Sequence, residues 1–142
     1  LHRILVPLRG LQNTTAIAPF VADLVQDGTT DVTLLHVLEE GESPDEVQER
    51  VLRPAANRMT ERDIDAGLIH RETLSSNDPA AAIQDKARDY DLVVIGETEP
   101  TVREILFGTV SETIASTSNV PVIVVRHLDE DGRPIQTARH RS

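Results

Sequence analysis

Four short segments of this chain are apolar almost without interruption. They are RILVPL at residues 3–8, DVTLLHVL at 31–38, DLVVIG at 91–96 and VPVIVVR at 120–126. Their apolar residues do not alternate with polar ones, as they would on a half-exposed strand. Continuous runs of β-branched and aliphatic residues mark strands buried on both faces, the habit of parallel sheets. Residues 68–74 read as a further, less apolar strand, suited to a sheet edge.

Between the strands the apolar spacing turns helical. Ile17, Phe20, Val21, Leu24 and Val25 share one face, with Asn13 or Thr14 as cap and Gly28 as stop. Pro19 falls inside this pattern and is expected to bend the helix or move its start. Ser43-Pro44-Asp45-Glu46 is a helix start, with a serine cap, proline in the first turn and Glu46 as capping-box partner. Val47, Val51, Leu52, Ala55 and Met59 follow on one face, and Pro54 is expected to kink that helix. Asp78-Pro79 repeats the cap-then-proline signal before a short helix with Ala82, Ile83 and Ala87 inward. Thr109 and Glu112 suggest another capping box, opening a helix over 109–118. Strand and helix therefore alternate, which implies an α/β fold: a doubly wound parallel sheet with helices on both faces. Ligands of such sheets bind beyond the carboxyl ends of the strands, where strand order reverses. If the first and fourth strands are central neighbours, that crevice lies between the loops after Pro7 and Gly96.

The 142 residues fit one domain and contain no cysteine, which excludes disulfides, thiolate catalysis and cysteine-ligated metals. No apolar run approaches the roughly 20 residues of a membrane helix. A net charge of −10 with no basic stripe argues against nucleic acid as a partner and against anionic membrane surfaces. Lys86 is the only lysine, and acid excess with so little lysine suggests adaptation to high salt. Aromatic residues are only 2% of the chain, so the core must be aliphatic. The five histidines show no metal-ligand spacing, and no nucleophile–base pair or P-loop motif is present. His36, at a strand end near the crevice, reads as a satisfied structural histidine. Asp45, Glu46 and Glu49 read as a solvated helix face.

Chemistry concentrates in GETEPTVREILFGTVSETIA, which starts at Gly96. It runs from a buried strand, through a loop of about a dozen residues, into a capped helix, and loops of that length are usually functional. Gly108 and Thr109 place free backbone N–H groups at a helix start, an anion site, with hydroxyls from Thr109 and Ser111. Taken alone, Gly108 is equally a turn and Thr109 a cap.

With the opening ILVPL, the LLHVLEE of the second strand, DLVVIG and REILFGTVSETIASTSNVPVIVVR, the chain resembles the universal stress protein family over residues 2–126. The resemblance implies five parallel strands in order 3-2-1-4-5, an adenine nucleotide α-hydrolase-like fold. It divides the chain into a domain at 1–127 and a polar tail at 128–142. It implies a homodimer paired through the last strand, here Val122, Ile123, Val124 and Val125. It places nucleotide contacts at Pro7, Leu8, Arg9, Val37, Ile95, Gly96, Gly108, Thr109, Val110 and Ser111, with ATP and magnesium as the ligand.

The match departs from the family pattern at the site. ATP-binding members carry G-x2-G-x9-G-[ST]; here Gly96, Gly108 and Thr109 remain, but Glu99 and Pro100 stand at the middle glycine and the loop is one residue shorter. Glu97, Glu99 and Glu104 add negative charge where phosphates would lie. The aspartate that contacts the nucleoside is replaced by Arg9, which can only donate and is expected to pair with a phosphate or carboxylate, or with Glu97 or Glu99. The expectation is a dimerising regulatory domain with weak or absent ATP binding and no catalytic residue. The alternative is a nucleotide-binding sensor, and slow ATP hydrolysis ranks last. A cytoplasmic location is expected. Leu1 opens almost directly on the first strand, as in a domain cut from a longer chain such as a membrane transporter.

Overall fold

The computed structural model describes residues 1–11, 14–96 and 120–125. Five strands form one sheet: β1 (Arg3–Pro7), β2 (Asp31–Leu38), β3 (Ile69–Ser75), β4 (Leu92–Gly96) and β5 (Val122–Val125). All described pairings are parallel, and the order is β3-β2-β1-β4-β5. Three of the four apolar runs are the central strands β2, β1 and β4; the fourth gives β5, which lies at an edge and is half-buried, not covered on both faces. β3, the less apolar one, lies at an edge and is partly exposed along its length.

Because successive strand residues point to opposite faces, the runs feed two cores. On one face Ile4, Val6, Val32, Leu34 and Val94 pack against Ile17 and Val21 of α1 (Thr14–Leu24) and Ala55 and Met59 of α3 (Arg53–Thr60). On the other face Leu5, Leu35, Val93 and Ile95 pack against Ala80, Ile83 and Ala87 of α4 (Pro79–Ala87), with Tyr90. Each fully buried aliphatic side chain contributes about 1.5–3 kcal/mol, so a core almost free of aromatics is sufficient. Tyr90, the one buried aromatic with a polar end, satisfies its hydroxyl by donating to Thr33 Oγ1 at 3.0 Å.

Local signals act much as their chemistry requires. Ser43 accepts from the Glu46 N–H at the start of α2 (Pro44–Val47), and Asp78 accepts from the Ala81 N–H at the start of α4. Gly28 takes φ +72° after α1, a conformation open to glycine at little cost. Asp91 accepts from the N–H groups of His2 and Arg3, at 2.8 and 2.9 Å, and joins the start of β4 to the start of β1. Those same two bonds, His2 first, hold its carboxyl below the usual range.

Four expectations are refined or corrected. The first helix is not restarted by Pro19; it runs from Thr14 to Leu24 with Pro19 inside. Thr14 is its first residue, and the hydroxyl donates back to Leu11 O at 2.8 Å instead of capping. Around Pro54, where a kink was expected, the helix changes its hydrogen bonding. The chain widens into a π turn at Gln48–Leu52 and the Arg53 N–H bonds Gln48 O, five residues back. A residue added to the turn is one way a helix accommodates the missing proline N–H. In α4 it is Ala80, not Ala82, that is buried with Ile83 and Ala87, because the face follows the i, i+3, i+7 positions. The Asn13 cap, the helix expected over 109–118, the domain boundary at 127 and the tail lie outside the described residues.

Candidate functional site

β1 ends where the strand order reverses: its neighbour on one side is β2, reached next in the chain, and on the other β4. The loops after β1 and β4 therefore leave in different directions and open a crevice. A shallow depression, open to solvent and enclosing only about 20 Å³, lies at this place. Pro7, Leu8 and Arg9 come from the end of β1, Leu35 and Val37 from β2, Ile95 from β4, and Pro79 and Ile83 from α4. Among the described residues, seven of the eight that line it are apolar and Arg9 carries the charge.

The wall is held by one loop. The Leu8 N–H donates to Leu35 O at 2.8 Å, and the Leu8 carbonyl accepts from Nδ1 of His36, also at 2.8 Å. His36 is 1% exposed. A carbonyl can only accept, so Nδ1 carries a hydrogen. Nε2 meets Oε1 of Glu42 at 2.8 Å. That carboxylate also accepts from the Glu39 N–H (2.8 Å) and from Arg50 (3.3 Å). Burial pushes the Glu42 carboxyl up, but the Glu39 N–H, His36 and Arg50 together outweigh it and hold the carboxyl below the usual range. Both His36 nitrogens thus face oxygen atoms. Gly41, at φ +87°, makes the turn that returns Glu42 to the strand end.

The same loop engages Arg9. Its Nη2 pairs with Oε2 of Glu39, both side chains being well exposed at 38% and 48%. Arg9 was expected to meet a carboxylate, and it does. The partner comes from the end of β2 and is Glu39; Glu97 and Glu99 lie outside the described residues. Glu39 itself does not line the cleft.

Of the residues expected to contact a nucleotide, Pro7, Leu8, Arg9, Val37 and Ile95 come together in the cleft. Gly96 is buried in β4 opposite Val125 of β5. Gly108, Thr109, Val110 and Ser111 lie outside the described residues. Leu35, Pro79 and Ile83 also form the wall and were missed by sequence reasoning. Their signals were present, a buried strand and a proline-led helix, but they pointed to packing. Among the described residues no cluster of three histidines or carboxylates is placed to hold a metal ion. None of the described helices is long and apolar enough to cross a membrane.

Solved structures with this fold are available for comparison. The universal stress protein from Archaeoglobus fulgidus in complex with dAMP superposes with TM-score 0.64 at 20% identity, covering 89% of this chain and 98% of that one. A universal stress protein in complex with cAMP gives 0.62 at 19% identity, covering 88% and 96%. An Arabidopsis thaliana universal stress protein family protein with AMP bound gives 0.56 at 17%, covering 94% and 97%. At these identities the likeness establishes the fold alone. No curated protein matches the chain. The model of the universal stress protein family matches residues 1–126, nearly the whole chain and the same span as the motifs read from the sequence, and this chain belongs to that family.

Proposed function

We propose that the chain is a non-catalytic regulatory domain that dimerises and holds a small nucleotide in the cleft, with ATP bound only weakly. The observation that carries this reading is the cleft itself: apolar walls at the point of strand reversal, with Arg9 as the one charged lining residue among those described. Apolar walls suit a flat ring, and a few polar groups set its orientation. The structural neighbours in complex with dAMP, cAMP and AMP support a nucleotide as occupant. The weak ATP binding follows from the sequence around the loop, which lacks the middle glycine and carries Glu97, Glu99 and Glu104. Like charges at short range oppose a triphosphate unless salt or magnesium screens them.

Titration with fluorescent ATP and magnesium in high salt tests this. The expected dissociation constant is on the order of a millimolar. Micromolar affinity would overturn the weak-ATP reading. The ligand reading fails if no nucleotide binds at roughly 10 mM, where even a site worth about −2.7 kcal/mol is half filled. Single-turnover ATP hydrolysis should run no faster than in a Thr109→Ala control, and a clear excess would make the domain an enzyme.

The dimer reading rests on β5. It lies at the sheet edge, pairs with β4 on one side, and its four residues are half-buried. An apolar VIVV edge is a liability unless another strand covers it. Sedimentation should give a dimer, and a monomer at all accessible concentrations would refute the pairing.

A further inference from the structure

We propose that His36 is a positioning residue for the ligand of the cleft: it holds the peptide that joins Leu8 to Arg9, and with it the rim these two residues form. This rests on the proposed nucleotide reading and adds a residue that does not itself line the cleft.

β1 ends at Pro7, and Leu8 makes one more sheet-like bond, from its N–H to Leu35 O at 2.8 Å. The Leu8 carbonyl then accepts from a side chain, Nδ1 of His36, at 2.8 Å. A peptide bond is planar and trans, so the direction of that carbonyl also fixes the Arg9 N–H and the course of the chain behind it. The other end of the ring is held in turn: Nε2 meets Oε1 of Glu42 at 2.8 Å. His36 therefore touches the rim with one nitrogen and the turn after β2 with the other.

A histidine is a costly occupant of this place. It is 1% exposed, and it shares its face of β2 with Val32 and Leu34, both fully buried among aliphatic side chains. An imidazole gives up its hydration on burial and recovers it only through bonds within the protein. A leucine would pack there without that cost. What a leucine cannot do is donate to the Leu8 carbonyl. Without the donor the Leu8–Arg9 peptide turns toward water, and a ligand binds only those molecules in which the rim is back in place. Affinity falls by that fraction.

Titration of the full chain with AMP tests this, with His36→Leu, His36→Asn and Met59→Ala beside the wild type, each at a temperature where circular dichroism shows it folded. Asparagine carries an N–H donor two bonds from Cβ, as Nδ1 of histidine is. Met59 is buried in α3 and does not line the cleft, so Met59→Ala lowers stability away from the rim. His36→Leu should weaken AMP binding at least about threefold, as when fewer than a third of the molecules keep the rim. His36→Asn should restore affinity to within about twofold of wild type, and Met59→Ala should leave it unchanged. Unchanged affinity in His36→Leu, a loss that Met59→Ala matches, or a His36→Asn variant as weak as His36→Leu each overturns the inference and leaves nucleotide binding standing. Should His36→Leu not fold, Glu42→Ala carries the test: it frees the outer end of the ring, AMP affinity should fall by about twofold or more, and no fall overturns the inference. A wild-type chain that binds no AMP at roughly 10 mM overturns both this inference and the reading on which it rests.

Discussion

Replacing Glu42 by alanine should destabilise the domain far more than a loop carboxylate ordinarily does. The side chain is 21% exposed and accepts from three groups: His36, the Glu39 N–H and Arg50. The three are not equal. Arg50 is 63% exposed, and such a pair is worth about 0–1 kcal/mol. Water can replace the carboxylate at the exposed Glu39 N–H. His36, with a side chain 2% exposed, has no such recourse. A bond to a carboxylate contributes about 1.5–3 kcal/mol, and leaving a buried ring nitrogen without its partner adds to the loss. The expected total is about 2–4 kcal/mol, or a fall in melting temperature of roughly 6–12 °C for a domain of this size. Urea denaturation of both proteins at neutral pH measures it. The pH dependence gives a second check. The Glu42 carboxyl lies below the usual carboxylate range in the folded state. Its contribution is therefore complete above the unfolded value and is lost as pH falls through the folded one. The gap between the two proteins should be full at pH 7 and shrink below about pH 4.5. A loss under about 1 kcal/mol at pH 7, or a gap that does not change down to pH 3, would refute the assignment of Glu42 as the anchor.

Two further outcomes follow from the fold and the composition. Asp78→Ala removes the carboxylate that accepts from the Ala81 N–H and should cost about 1 kcal/mol, read by the same denaturation; a neutral result would mean that the cap is idle. A melting series from low to molar salt should raise the transition temperature, because the net charge of −10 repels itself at low ionic strength, and a flat series would argue against adaptation to high salt.

The parts of the fold that could be read from sequence are those set by burial. Residues 31–38 and 91–96 declare themselves as strands because both faces are covered, and no polar position is tolerated except one with an internal partner, as Thr33 has in Tyr90. Capping at Ser43 and Asp78 is equally local: one side-chain oxygen and one N–H three residues on. The π turn at Gln48–Leu52 is different. Pro54 announces that a backbone bond must be lost, but not whether the helix bends, stops or widens, which depends on how Val51 and Leu52 meet the sheet. The site divides in the same way. Pro7, Leu8, Arg9, Val37 and Ile95 follow from strand ends and family pattern. Glu39 and Glu42 were unreadable as partners, since acids after a strand look like a solvated turn until Gly41 brings the chain back on itself.

That turn also ties the cleft to the scaffold. Glu42 holds His36, His36 holds the Leu8 carbonyl, and the Glu39 bound to Glu42 through its N–H engages Arg9 with its side chain. The apolar wall and the single charged lining residue thus depend on one carboxylate. Loss of Glu42 removes a partner from His36 and from the Glu39 N–H at once. The chemistry of the cleft can therefore change through Arg9 and Glu39 at little cost to folding, because both are exposed. Its shape cannot change without disturbing a histidine that the fold keeps out of water.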